Sequence, residues 1–227
     1  MTISAIIPAA GSGERFGGKK QLKNLDGRPL LYHTLQPFIQ STLIDEIVVV
    51  VAEGDVDQLD RELKSFISSK PIKMVAGGSS RQISVHNGLA AVEESSEFIC
   101  VHDAVRPFAS KNLIEKAVTA CKDHDGVIVA LSSTDTIKRV MEDQILETIP
   151  REKIWRAQTP QVFSKAALQE ALELAKSEDI QGTDEASLLE RIGYQVGFVE
   201  GSSMNIKITT EEDWVFAEAI YKQLNED

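Results

Sequence analysis

The chain has 227 residues, 42% hydrophobic and 26% charged, the composition of an ordinary globular protein long enough for one sizeable core. A formal charge of −11 argues against a nucleic-acid binder, whose surface is usually basic. No apolar run approaches the roughly 18 residues that cross a bilayer, and the first eight residues lack the basic start and cleavage site of a signal peptide. A cytoplasmic protein with no membrane partner is expected, with Cys100 and Cys121 as reduced core residues.

In chain order, apolar runs rich in β-branched residues fall at 4–7, 46–51, 73–75, 98–101, 127–131 and 195–199. Helix-like stretches lie between or beyond them at 29–40, 56–68, 81–93, 112–124, 165–177 and 184–192. Near-continuous apolar strands alternating with helices predict an α/β fold, doubly wound and Rossmann-like, with a mainly parallel sheet. Ligands of such folds gather at the carboxyl ends of the strands. Residues 132–154 break the pattern: they are polar, with strand-like pieces at 136–141 and 145–149. They are expected to form a β-hairpin arm for dimer contact, projecting from a single domain over 1–227; little Gly, Ser or Pro argues against a linker. A last helix over 211–224 is opened by a capping-box pattern from Thr209 to Glu212.

The glycine loop after the first strand, Pro8-Ala-Ala-Gly-Ser-Gly-Glu-Arg15, has two look-alikes. As a dinucleotide fingerprint it fails at Phe16, where helix–strand packing needs a small residue. Counted from Gly13 it has P-loop spacing, but Lys20 replaces the Ser or Thr that would hold magnesium. What remains is a turn of small residues followed by Arg15, Lys19, Lys20, Lys23 and Arg28, against Asp26 alone. Backbone N–H groups can approach phosphate oxygens there, and a basic patch on an acidic protein suggests a pocket for a small polyanion. A glycine-requiring turn and a solvated surface are the plainer alternatives.

Pro8-Ala-Ala-Gly-x-Gly-x-Arg15, Lys20-Gln21 and Leu25-x-Gly27-x-Pro29-Leu30 resemble the opening of the glycosyltransferase-A-like nucleotidyltransferases. Within them the chain most resembles the 2-C-methyl-D-erythritol 4-phosphate cytidylyltransferases of the non-mevalonate isoprenoid pathway. The resemblance continues through Gly77-Gly78-x-x-Arg81-x-x-Ser84, Val101-His-Asp103-Ala-x-Arg106-Pro107, and Asp135-Thr136-x-Lys138. It closes with Arg151, Trp155-x-x-Gln158-Thr159-Pro160-Gln161, Thr183-Asp184-Glu185-Ala186-Ser187 and Asn205-Ile206-Lys207-Ile208-Thr209. Leu22, where an aromatic is common, and Ser79, where an acid is frequent, are small departures.

The resemblance implies a reaction of CTP with 2-C-methyl-D-erythritol 4-phosphate that releases pyrophosphate. It implies Arg15, Lys20 and Lys207 as the catalytic cations and Asp103 as the partner of Mg²⁺. The nucleotide would lie against Pro8, Ala9, Ala10, Gly11, Gly13, Gly78, Ser79, Arg81, Ser84 and Ala104. Arg106, Thr136, Arg151 and Thr159 would grip the sugar phosphate. In the family, Arg106, Thr136 and Arg151 serve a neighbouring subunit's site, which implies a homodimer. Asp184 and Glu185 are expected to cap a helix and brace basic groups. The four histidines, His33, His86, His102 and His124, are scattered and expected in core or surface roles. Alternatives left open are another acceptor such as ribitol 5-phosphate, a sugar 1-phosphate with UTP, and a non-catalytic nucleotide-binding regulator.

Overall fold

The structure is a computed structural model that describes residues 1–64 and 70–225, with the backbone alone for Arg15, Leu63 and Lys64. The strands are β1 (Ile3–Pro8), β2 (Asn24–Leu25), β3 (Arg28–Pro29), β4 (Glu46–Val51), β5 (Ile72–Ala76), β6 (Phe98–Val101), β7 (Gly126–Ser132), β8 (Ile137–Met141), β9 (Gln144–Ile149), β10 (Trp155–Ser164) and β11 (Val196–Glu200). The helices are α1 (Leu30–Gln40), α2 (Val56–Lys64), α3 (Arg81–Ala91), α4 (Lys111–Ala120), α5 (Lys165–Ser177), α6 (Glu185–Arg191) and α7 (Glu211–Asn225). Residues 65–68 of the helix expected over 56–68 lie outside the described residues.

Seven strands form one sheet in the order β11-β7-β10-β6-β1-β4-β5. The apolar runs become strands because both faces are covered: every residue of β4 is buried. One face packs against α1 and α4 through Leu35, Phe38, Ile114 and Val118, the other against α3, α5 and α6 through Val85, Leu168 and Leu189. Cys100 and Cys121 are free and buried. None of the described helices is long and apolar enough to cross a membrane.

The expectation of a mainly parallel sheet needs one addition. β10, absent from the six runs, lies in the sheet antiparallel to both β6 and β7. Its pairing register shifts between Gln158 and Gln161, across a cis Thr159–Pro160 bond. Residues 132–154 do form a hairpin, β8 pairing antiparallel with β9. At α7 the expected capping box moves on by one residue: Asp213 Oδ2 accepts from the amides of Thr209 and Thr210, while the Asp213 amide donates to Thr210 Oγ1.

β1 has β4 on one side and β6 on the other, so the strand order reverses beside it. The loops after β1, β5 and β6 all leave the carboxyl edge of the sheet there, the position where doubly wound folds bind ligands.

Candidate active site

The loop after β1 is shaped by what glycine alone permits. Gly13 has φ +73°, and a Cβ on it would lie 1.8 Å from the Gly18 carbonyl oxygen. Gln21 is buried and donates from Nε2 to the carbonyls of Ala9 at 2.8 Å and Gly11 at 3.1 Å, occupying two of the loop's acceptors. Phe16, the residue that spoils the dinucleotide pattern, is buried edge-on to Trp214 of α7 at 5.8 Å, which seats the loop.

The turn after β5 forms the facing wall. Gly77 cannot carry a side chain, because its Cβ would stand 2.4 Å from Ala10 Cβ and 2.9 Å from Ser84 Oγ. The buried hydroxyl of Ser84 accepts from Gly78 N at 3.1 Å and donates to the Ser80 carbonyl at 2.9 Å, which fixes the turn. Ser80 in turn caps α3 by accepting from Ile83 N.

Behind both walls sits a charge centre. Asp103, 6% exposed, receives Arg81 Nε on Oδ1 at 3.0 Å. Lys207 Nζ lies 2.9 Å and Arg106 Nε 3.6 Å from its Oδ2. Burial opposes ionisation of this carboxyl, but Arg81, Lys207 and Arg106 outweigh it and hold it well below the usual carboxylate range. Lys207 arrives from the far end of the chain because Ile208 N donates to the Val105 carbonyl at 3.0 Å. Arg81 also forks its Nη1 onto both oxygens of Glu185, at 2.7 and 2.9 Å, and Glu185 is 1% exposed. Burial pushes the Glu185 carboxyl up against the pull of Arg81, while Glu185 and Asp103 raise Arg81 despite its own burial. Asp184 caps α6 through Ser187 N, as expected of that pair.

The residues of the Asp103 loop are clamped from β10. Asp103 N donates to Thr159 Oγ1 at 3.1 Å, and Thr159 Oγ1 lies 3.0 Å from His102 Nδ1. His102 Nε2 meets the Arg106 carbonyl at 3.0 Å. Burial lowers the pKa of His102 to about 4, so the ring is neutral near pH 7. Arg106 is 9% exposed and donates from Nη1 to the Asn205 carbonyl at 2.8 Å. Its guanidinium is thus anchored between Asp103 and Asn205.

A cleft of about 670 Å³ unites most of the expected positions. Pro8, Ala9, Ala10, Gly11 and Gly13 line it from the glycine loop, and Gly78, Ser79, Arg81 and Ser84 from the turn. Lys20, Asp103, Ala104 and Lys207 complete the same lining. Four residues stand outside it. Thr159 and Arg106 lie behind Asp103, whereas Thr136 and Arg151 are exposed at the base of the arm, where Arg151 Nη1 donates to the Thr134 carbonyl. The side chain of Arg15 lies outside the described residues. The basic patch also divides: Lys19 pairs with Asp55 at 2.6 Å, and Lys23 pairs with Glu211 and lies over the Trp214 ring.

Gln21, His102 and Asn205 shape the site although the residues alone gave them no role. All three lie inside motifs of the family resemblance, which is the one signal for Gln21 and Asn205. His102 also stands between a buried strand and Asp103.

Residues 3–223 match the family described as 2-C-methyl-D-erythritol 4-phosphate cytidylyltransferase. The chain belongs to this family. A relative of that description from Geotalea uraniireducens is 42% identical, covering 100% of both chains. One from Halalkalibacterium halodurans is 44% identical over 97% of each. A crystal structure of 4-diphosphocytidyl-2C-methyl-D-erythritol synthase from Anaerococcus prevotii has a TM-score of 0.87 and 36% identity, covering 97% of this chain and 98% of that one.

Proposed function

We propose that this chain joins CTP to the phosphate of 2-C-methyl-D-erythritol 4-phosphate, giving 4-CDP-2-C-methyl-D-erythritol and pyrophosphate. The observation that carries the reading is the pairing of a glycine-loop cleft with a buried carboxylate ringed by Arg81, Arg106 and Lys207. The nucleophile is the sugar's own phosphate oxygen, ionised near neutral pH, so the chain supplies no general base. The barrier is the meeting of two anions at the α-phosphate, where fixed cations act by preorganised electrostatics. Arg15 and Lys20 would serve the pentavalent centre and departing pyrophosphate, and Lys207 the α-phosphate or the incoming phosphate. Main-chain groups of Ala10 and Gly78 would hold the base, with Arg81 and Ser84 fixing the wall behind it.

A divalent cation suits this site in one particular way. Among the described residues no three His, Cys, Asp or Glu side chains cluster as a metal cage, and Asp103 is the carboxylate in the cleft lining that pairs with Arg81, Arg106 and Lys207. Mg²⁺ commonly takes one carboxylate with triphosphate oxygens and waters, and Asp103 fits that donor set. When bound, the ion would supply charge neutralisation of the triphosphate. Lys207 would then turn from Asp103 toward phosphate.

The sugar phosphate would meet Thr159 of one subunit and Arg106, Thr136 and Arg151 of a second, making the homodimer part of the site. The arm itself supports this: Val140, Met141, Ile145 and Leu146 are 51–64% exposed on a two-stranded hairpin, and such a hairpin is marginal in water alone. The test is pyrophosphate release with each nucleoside triphosphate and each sugar phosphate in Mg²⁺. Turnover with CTP and 2-C-methyl-D-erythritol 4-phosphate is expected. Turnover with ribitol 5-phosphate in its place would replace the acceptor, and binding without turnover would make the chain a regulator.

A further inference from the structure

We infer that His102 is a positioning residue that sets Asp103 and Arg106 relative to each other through its neutral Nε2–H tautomer. The inference rests on the cytidylyl-transfer reading for its kinetic consequences, but not for its geometry. His102 has no exposed surface and lies against Phe38, ring centroids 4.9 Å apart. Its own amide donates to the Ile6 carbonyl at 3.0 Å, so its backbone continues the pairing of β6 with β1. The ring is thus fixed to the floor of the sheet before the functional loop begins.

The tautomer follows from counting protons. Thr159 Oγ1 accepts the Asp103 amide and has one proton to give, and His102 Nδ1 stands 3.0 Å away. A hydroxyl can accept twice, so this contact alone fits either role for Nδ1, and the other ring nitrogen decides. Nε2 faces the Arg106 carbonyl at 3.0 Å, an oxygen that only accepts, so Nε2 must carry the hydrogen. The opposite tautomer would set lone pair against lone pair at the carbonyl. A cationic ring would leave the Thr159 proton without this acceptor and bury a charge.

The two ends of the ring act on two different groups. Through Thr159, Nδ1 fixes the amide of Asp103, the carboxylate at the centre of the cations. Through the carbonyl of Arg106, Nε2 fixes the start of the side chain expected to meet the sugar phosphate. The loop between them is short and closed, Arg106 N donating to the Asp103 carbonyl at 3.1 Å. Thr159 accordingly belongs to this relay: its hydroxyl is engaged on both sides and it is 4% exposed.

The experiment pairs a spectrum with two variants. Long-range ¹⁵N correlation spectra of the folded protein should show Nε2 protonated and Nδ1 as the acceptor nitrogen. His102→Gln can carry an amide N–H toward the Nε2 position, and His102→Asn an amide oxygen toward the Nδ1 position. With its Thr159 end lost, His102→Gln should lower kcat about tenfold and leave the sugar-phosphate KM within about threefold, the scale of losing a partner of a metal ligand. Losing the Arg106 end, His102→Asn should do the reverse, raising that KM about tenfold, the effect of one hydrogen bond. A protonated Nδ1, or equal losses of kcat and KM in both variants, would overturn the inference. Absence of turnover in the unaltered protein together with the expected tautomer would refute the reaction and leave the geometry standing.

Discussion

Glu185 offers a perturbation with two consequences that can be read separately. Its carboxylate is 1% exposed and takes both contacts from Arg81 Nη1, while Arg81 Nε holds Asp103. Glu185→Gln keeps the volume and one acceptor oxygen but removes the charge. Breaking a buried ion pair costs about 3–5 kcal/mol. Arg81 is 30% exposed and keeps Asp103, so a loss below that range, about 2–3 kcal/mol, is expected here. Urea unfolding would measure it as a lower midpoint at unchanged slope. The second consequence is electrostatic. With Glu185 neutral, the whole charge of Arg81 falls on Asp103, leaving less negative charge for a divalent cation. The Mg²⁺ concentration for half-maximal pyrophosphate release at fixed CTP should rise about tenfold, the scale seen when partners of metal ligands are changed. A loss of stability with an unchanged or lower Mg²⁺ midpoint would refute the idea that Arg81 transmits the charge of Glu185 to Asp103.

Three further changes probe other parts of the molecule. Gly77→Ala puts a Cβ 2.4 Å from Ala10 Cβ, an overpacking of about 1–3 kcal/mol that should weaken CTP binding about tenfold by calorimetry; unchanged binding would mean the two walls can part freely. Ile145→Asp with Leu146→Asp on the arm should convert a dimer to monomers in sedimentation and raise the KM for the sugar phosphate, and a monomeric, fully active protein would rule out a shared site. His102, at about 4 against its ordinary 6.5, is neutral when folded, so its contribution is complete above pH 6.5 and is lost as pH falls toward 4. The unfolding free energy from urea titrations should therefore fall on acidification by up to about 1.4 kcal/mol per pH unit from this group, and His102→Gln should flatten that slope; identical slopes would place His102 in a wetter setting.

The strands that could be read from the chain are those whose burial leaves a plain apolar signature. Glu46–Val51 is buried throughout and was visible as such. β10 was invisible for a physical reason: at its middle it carries Gln158, Thr159, Pro160 and Gln161, which look like a loop. Those polar groups are tolerated because the fold engages them. Gln158 donates to the Ser202 carbonyl, Asn205 to that of Thr159, and Gln161 to Asp184, while the register shift accommodates the proline.

The same distinction holds in the site. Glycines and small residues announced the cleft because steric limits are local, and Gly13 and Gly77 bear those limits out. Charge did not localise so well. A run of cations reads as one patch in sequence, yet Lys19 and Lys23 are drawn to Asp55 and Glu211, partners 36 and 188 residues away. His102 could not be found by spacing at all, since its partners arrive from β10 and from the turn at Arg106.

The most direct test concerns Asp103, on which the cations converge. Pyrophosphate release from CTP and 2-C-methyl-D-erythritol 4-phosphate should be measured across Mg²⁺ concentrations for the unaltered chain and for Asp103→Asn. Expected are divalent-dependent turnover in the first and, in the second, a fall on the order of 100-fold that added Mg²⁺ recovers only in part. Equal turnover by Asp103→Asn at low Mg²⁺ would contradict the assignment of the buried carboxylate to the reaction.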